Sequence, residues 1–151
     1  MKIFIGSDHR GVEIKKEIMK NLEEDGFDIY NTKTPNKEVD DYPDFAFEVG
    51  ENVIKNDDSL GILICGNGIG ISIAANKVKG IRCARVFNED DAFKSKNHNG
   101  ANVIAIGADI PLEKAMSIID VFISTKMANE ERHLKRINKI INYENGEYNE
   151  L

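Results

Sequence analysis

The chain has 151 residues, 41% of them hydrophobic and 30% charged, with a formal net charge of −6. That length fits one domain with a real core and is too short for two. No run approaches the roughly 20 apolar residues that cross a bilayer, and the acidic balance argues against a nucleic-acid surface while leaving local basic clusters able to hold a small anion. The first apolar run, Ile3 to Ile5, stops at Gly6 and passes straight into polar residues, so no secretory leader is expected and the predicted location is the cytosol. Cys65 and Cys83 are too few for a disulfide framework and lack the spacing of a zinc site, so both are expected to be thiols with no metal.

In chain order, Lys2 to Gly6 reads as a strand, and Val12, Ile14, Ile18 and Leu22 then recur on one face of a helix closed by Gly26. Phe27 to Tyr30 is the second strand, followed by a helical stripe from Phe45 to Ile54 that Asp44 is placed to cap. Leu60 to Ile64, Arg82 to Val86 and Val103 to Ile106 are three more strands. Helical stripes follow each of them, over Ile71 to Val78, Glu89 to Ser95 and Leu112 to Ile123, the last with Pro111 suited to its first turn. An amphipathic helix from Glu130 to Ile141 ends the pattern, and the polar stretch from Asn142 to Leu151 is expected to fray.

Five strands each followed by a helix predict a single α/β domain over residues 1–151. Its fold is a three-layer, doubly wound, Rossmann-like parallel sheet with an extra C-terminal helix. Of the few orders that right-handed crossovers allow, 2-1-3-4-5 is the one predicted. In that order ligands bind beyond the carboxyl ends of the first and third strands, where the winding reverses.

The loops at that point are rich in chemical groups. After the first strand comes Ser7-Asp8-His9-Arg10-Gly11, and after the third comes Cys65-Gly66-Asn67-Gly68-Ile69-Gly70-Ile71-Ser72. Three glycines between a buried strand and a helix let backbone N–H groups converge on an anion, although alone they are equally compatible with a tight turn. A thiol at such a position has its thiolate favoured, which makes Cys65 a candidate base or nucleophile. Cys83 reads as a small buried strand residue. Across the crevice His9 is placed to bind phosphate and Asp8 to shuttle a proton, or either to cap the first helix. Arg132 and Arg136, at i and i+4, project from one helix face and fit either a dianion site or a solvated basic face. His98 ends the fourth helix at the amino edge of the sheet, and the four residues to Val103 span at most about 14 Å, so a catalytic His98 would serve a neighbouring subunit's site.

These segments, with Asp41-Tyr42-Pro43-Asp44, Ile73-Ala74-Ala75-Asn76-Lys77, His98-Asn99, Ala101-Asn102-Val103 and Arg132-His133 with Arg136, resemble the ribose-5-phosphate isomerase B family, within the group that includes galactose-6-phosphate isomerase. The likeness runs nearly end to end. It implies a cofactor-independent aldose-ketose isomerase acting on a small sugar phosphate through a cis-enediolate, in a homodimer, or a tetramer of dimers, with sites at the subunit interface. It implies Cys65 as the enolising base, His98 in ring opening, Asp8 in proton transfer between O1 and O2, and an anion hole of Gly66, Gly68, Ile69 and Gly70. It further implies phosphate binding by His9, Arg132 and Arg136, with Tyr42 and Asn99 near the sugar. Two positions depart from the family's pattern. Asn67 stands where a threonine is usual, and Asp109 falls where many members carry a phosphate-binding arginine.

Other readings have less support. A dinucleotide- or flavin-binding module would place its glycines after the first strand. A cysteine-dependent phosphatase needs an arginine six residues after its cysteine, where this chain has Ile71. A non-catalytic sugar-phosphate sensor, and a six-carbon substrate such as allose 6-phosphate or galactose 6-phosphate, are the alternatives that the residues also allow.

Overall fold

A computed structural model describes residues 1–149. Five strands, β1 (Lys2–Ser7), β2 (Asp28–Asn31), β3 (Ser59–Cys65), β4 (Cys83–Arg85) and β5 (Val103–Gly107), alternate with α1 (Val12–Glu24), α2 (Tyr42–Lys55), α3 (Ile69–Ala75), α4 (Glu89–Asn97) and α5 (Leu112–Ser124), and α6 (Glu131–Glu144) follows. All pairings are parallel. Because side chains alternate across a strand, the central strands feed two apolar layers. Ile3, Ile5, Ile62, Ile64, Ile104 and Ile106 pack with Ile18 and Leu22 of α1 and Ile118, Ile119 and Phe122 of α5. Phe4, Leu63, Cys65, Val103 and Ala105 face the other way, onto Phe45 and Val49 of α2 and Ile71 and Ala74 of α3. Ile62, Leu63 and Ile64 are fully buried, each contributing on the order of 2 kcal/mol of apolar burial.

The strand order is β2-β1-β3-β5-β4, so the predicted order is corrected in its last two places. The reason lies in the strands themselves. β4 has three half-buried residues and carries Arg85, which suits an edge, whereas the first four residues of β5 are buried and suit the centre. The exchange leaves the reversal between β1 and β3 intact and makes β5 the neighbour of the cysteine strand.

The ends of the helices refine the reading. Gly26, at φ +89, donates to the Glu23 carbonyl while Phe27 donates to that of Leu22, the paired bonds that close a helix on a left-handed glycine. Asp44 does not cap α2. Asp41 holds the extended N-cap position and Asp44 lies in the first turn, donating its own N–H back to the Asp41 carbonyl. Pro111 sits at the N-cap of α5 rather than inside its first turn, where its fixed φ leads the chain in. The segment expected to fray from Asn142 continues α6 to Glu144 and is closed by Gly146, at φ +74, with bonds from Gly146 to Tyr143 and from Glu147 to Asn142. Residues 150 and 151, the last of that segment, lie outside the described residues. No helix among the described residues is long and apolar enough to cross a membrane.

Candidate active site

Register brings the two chemically rich loops together. Ser7 pairs with Ile64 and Cys65 with Gly107, so the chain leaves β1, β3 and β5 at one level. The Asp8 N–H donates to the Ile64 carbonyl at 3.2 Å, and Ala108 donates to the Cys65 carbonyl at 2.8 Å. Between these anchors lies a cleft of about 360 Å³ lined by Asp8, Arg10, Tyr42, Cys65 and the loop residues Gly66, Asn67, Ile69 and Gly70. Cys65 is 4% exposed, packed at the floor against the α2 and α3 layer. Tyr42, the first residue of α2, is 39% exposed and stands over the far end of the loop.

The glycines have distinct reasons. Gly68 adopts φ +78, and a Cβ there would also lie 3.1 Å from the carbonyl carbon of Ile106. Gly66 and Gly70 permit close approach: a Cβ would come within 2.8 Å of Arg10 Nη1 at the first and 2.6 Å of the Tyr42 ring at the second. The N–H groups of Gly66, Gly68 and Gly70 make no hydrogen bond among the described residues, so three of the four expected anion-hole residues keep free donors. Ile69 is corrected. Its N–H donates to Asn67 Oδ1 at 2.9 Å, because an asparagine readily hydrogen-bonds the backbone two residues on, leaving the Asn67 amide NH₂ as that residue's donor. The Asn67 carbonyl is in turn held by Arg85 Nε at 2.7 Å, with the guanidinium stacked 3.9 Å from the Phe87 ring centre. Arg85 and Asp109 both line a neighbouring hollow, together with Asn67 and Gly107.

Burial raises the Asp8 carboxyl above its ordinary value, opposed by the Arg10 backbone N–H and by the charge of His9. A carboxyl so placed is suited to passing a proton between two oxygens. His9 does not line the cleft. Its backbone N–H donates to Asp40 Oδ1 at 2.7 Å and its ring Nδ1 lies 3.0 Å from the same oxygen. Nδ1 is also 3.2 Å from the Asp40 N–H, and the two contacts demand opposite tautomers. The shorter contact, to an ionised acceptor, assigns the hydrogen to Nδ1, since two lone pairs at 3.0 Å would repel. His9 is therefore clamped with Nε2 as its outward nitrogen.

Asp40 anchors the loop between β2 and α2. Burial works to raise its carboxyl, and hydrogen bonds from Asn36, His9 and Lys37 outweigh that effect and hold it below its ordinary value. A folded-state pKa below the unfolded one adds stability that is complete above the unfolded value and is lost as pH falls through the folded one. Urea midpoints measured downward from about pH 5 are therefore expected to drop more steeply below about pH 4, and Asp40→Asn is expected to flatten that drop.

The remaining predicted residues assemble at the other end of the sheet. His98 is the C-cap of α4, ahead of Val103 at the amino end of β5, about 13 Å of strand away from Gly107 and the cleft. Its ring stacks on that of His133 in α6, with centroids 4.4 Å apart and planes 11° from parallel. His133 is 7% exposed, and burial, then the charges of His98 and Arg132, hold its ring below the ordinary histidine value. Its ring backs that of His98, a placement legible only in the weak hint that it sits between the two arginines. Arg132 and Arg136 are exposed on the same helix, Arg132 with Nε 2.9 Å from Glu130 Oε2, a surface pair that holds it weakly. Asn99 lines a separate groove of about 630 Å³ with Cys83, Phe87 and Ile140. Burial pushes the Cys83 thiol up to about 12, which fits its reading as a structural residue.

The family described as Ribose/Galactose Isomerase matches residues 3–140. The chain belongs to this family. Among its relatives, the ribose-5-phosphate isomerase B of Mycolicibacterium paratuberculosis is 36% identical over 146 residues, covering 95% of this chain and 92% of that protein. The solved structure of Clostridium thermocellum ribose-5-phosphate isomerase B is similar at TM-score 0.89 and 42% identity, over 97% of this chain and 99% of that one. A ribose-5-phosphate isomerase B from Mycoplasma genitalium, solved with bound ribulose-5-phosphate, gives TM-score 0.88 at 41% identity, over 95% and 96%. Membership of the ribose/galactose isomerase family agrees with the switch-point cleft and with its thiol beneath a glycine loop.

Proposed function

We propose that this chain interconverts ribose 5-phosphate and ribulose 5-phosphate, with Cys65 as the base, in two sites that each join one chain's cleft to the other chain's His98, Arg132 and Arg136. The observation that carries the reading is the buried Cys65 at the base of a cleft whose loop keeps the Gly66, Gly68 and Gly70 N–H groups free. A developing oxyanion needs donors already in place, and a carbon acid needs a base within reach of its proton. The separation of His98 and the arginines from the cleft supports a shared site. So do the exposed apolar residues on the intervening surface, Ile69 and Ile73 on α3, Phe87 after β4 and Ile140 on α6. A second copy covering that surface would bury them and bring a cationic cluster to the cleft of its partner.

In this mechanism the phosphate is gripped by His9 and the partner copy's arginines, and that remote binding orients the sugar. His98 assists ring opening. The Cys65 thiolate takes the proton from C2 of the aldehyde form, and the electrons of that bond flow onto the carbonyl oxygen, giving a cis-enediolate held by the loop donors. Asp8 carries a proton from O2 to O1, and return of the thiol's proton to C1 gives the ketose. Atoms and electrons balance without a cofactor. Purified protein is expected to form ribulose 5-phosphate from ribose 5-phosphate, read by ketose absorbance, and to exchange solvent deuterium into the product at C1. Faster turnover of allose 6-phosphate or galactose 6-phosphate would move the substrate to six carbons. Absence of any aldose-ketose exchange would leave a sensor.

A further inference from the structure

Arg10 lines the cleft and stands outside every role assigned above. Its backbone N–H caps onto Asp8 Oδ1 at 3.0 Å, which fixes where its side chain begins. The side chain then lies across Gly66, close enough that a Cβ at residue 66 would meet Nη1 at 2.8 Å and Cδ at 3.1 Å. Its guanidinium makes no hydrogen bond, ion pair or ring contact among the described residues, in contrast to Arg82, Arg85 and Arg132, whose side chains all bind a carbonyl or a carboxylate. Arg10 is exposed to solvent, yet its side chain passes over the residue that follows Cys65 and carries its uncommitted donors to the mouth of the cleft.

We propose that Arg10 is a further catalytic residue, a hydrogen-bond donor to the oxyanion that develops at the reacting end of the sugar. The proposal rests on the reading of Cys65 as the base. A base that removes a proton must sit against the carbon that bears it, so the oxygens on that carbon and the next fall beside the residue after Cys65. Gly66 is that residue, and Arg10 covers it. The phosphate lies several bonds further along the sugar, toward His9 and the partner copy's arginines. The need for the donor is local as well: the Ile69 N–H is taken by Asn67, so the loop meets the enediolate with one amide fewer than its sequence provides. A guanidinium delivers two parallel donors in a fixed fork and keeps its charge through the reaction, so it stabilises the anion without exchanging a proton.

The test uses the purified full-length protein and the variants Arg10→Ala and Arg10→Lys, with ribose 5-phosphate as substrate and two inhibitors. One inhibitor is a phosphorylated hydroxamate that imitates the cis-enediolate, and the other is inorganic phosphate. Arg10→Ala is expected to lower kcat by about 10- to 100-fold with KM within about twofold, somewhat less than the loss on deleting a single oxyanion-hole donor. The hydroxamate should weaken by a similar factor while the inhibition constant of inorganic phosphate stays put, and Arg10→Lys should recover part of the loss by restoring the charge. Unchanged kcat in Arg10→Ala would overturn the proposal. So would a rise in KM matched by weaker phosphate inhibition at constant kcat, which would make Arg10 a phosphate ligand. Wild-type protein that turns over no aldose phosphate would instead remove the isomerase reading itself, and the proposal with it.

Discussion

Cys65→Ala is expected to cut kcat for ribose 5-phosphate by about 10²–10⁴-fold, the range that a positioned general base contributes, with KM changed little. Substrate binding is assigned to groups far from the sulfur, so deleting the base removes an interaction made in the transition state and leaves ground-state affinity in place. The fold should tolerate the change. Cys65 is 4% exposed and contributes one sulfur to a layer with Phe45, Leu63 and Ile71, so alanine there should cost on the order of 1 kcal/mol, within the usual range of point substitutions. Thermal melts and far-ultraviolet circular dichroism would check that the variant is folded. Exchange of solvent deuterium into C1 would then separate a slowed proton transfer from a lost one. A folded Cys65→Ala protein that still exchanges deuterium at the wild-type rate removes the thiol from the mechanism.

The layers and the switch-point site were readable because they follow from periodicity. A run such as Leu60-Gly61-Ile62-Leu63-Ile64-Cys65 has no polar face, so helices must cover both sides, and right-handed crossovers then place its carboxyl end at a crevice. The order of the last two strands was not readable in the same way. Both Arg82 to Val86 and Val103 to Ile106 look like strands, and only the difference in burial, three half-buried residues against four buried ones, sends the first to the edge. That difference is a property of the packed sheet. Proximity between side chains distant in sequence was equally out of reach. Nothing in Asp8-His9-Arg10 says that the histidine will turn away to Asp40, 31 residues on, or that the arginine will lie across Gly66. Asn67 shows the limit from the other side: its turn-forming habit is a local rule, and applying it would have taken Ile69 out of the anion hole from sequence alone.

A mixing experiment carries the larger consequence, because it decides whether a site belongs to one chain or two. Arg132→Ala/Arg136→Ala changes only exposed positions on α6 and should fold, yet as a pure protein it should lose most of its activity on phosphorylated sugars, since remote phosphate binding is what orients the reacting end. Cys65→Ala should be nearly inactive for the separate reason given above. If each site takes its cleft from one copy and its arginines from the other, a mixed dimer contains one site with both defects and one with neither. Equal amounts of the two inactive proteins, allowed to exchange subunits, form mixed dimers in about half of the population and should therefore recover about a quarter of wild-type activity, with the KM of wild type. A site built wholly within one chain predicts a different outcome: every site in the mixture then carries one defect or the other, and no activity returns. The recovered fraction should also rise with incubation time as subunits exchange, so a mixture assayed immediately and again after equilibration provides its own control. Exchange shown by mass spectrometry of differently tagged chains, with no return of turnover, would mean that the two arginines serve the cleft of their own chain, and would remove the shared site.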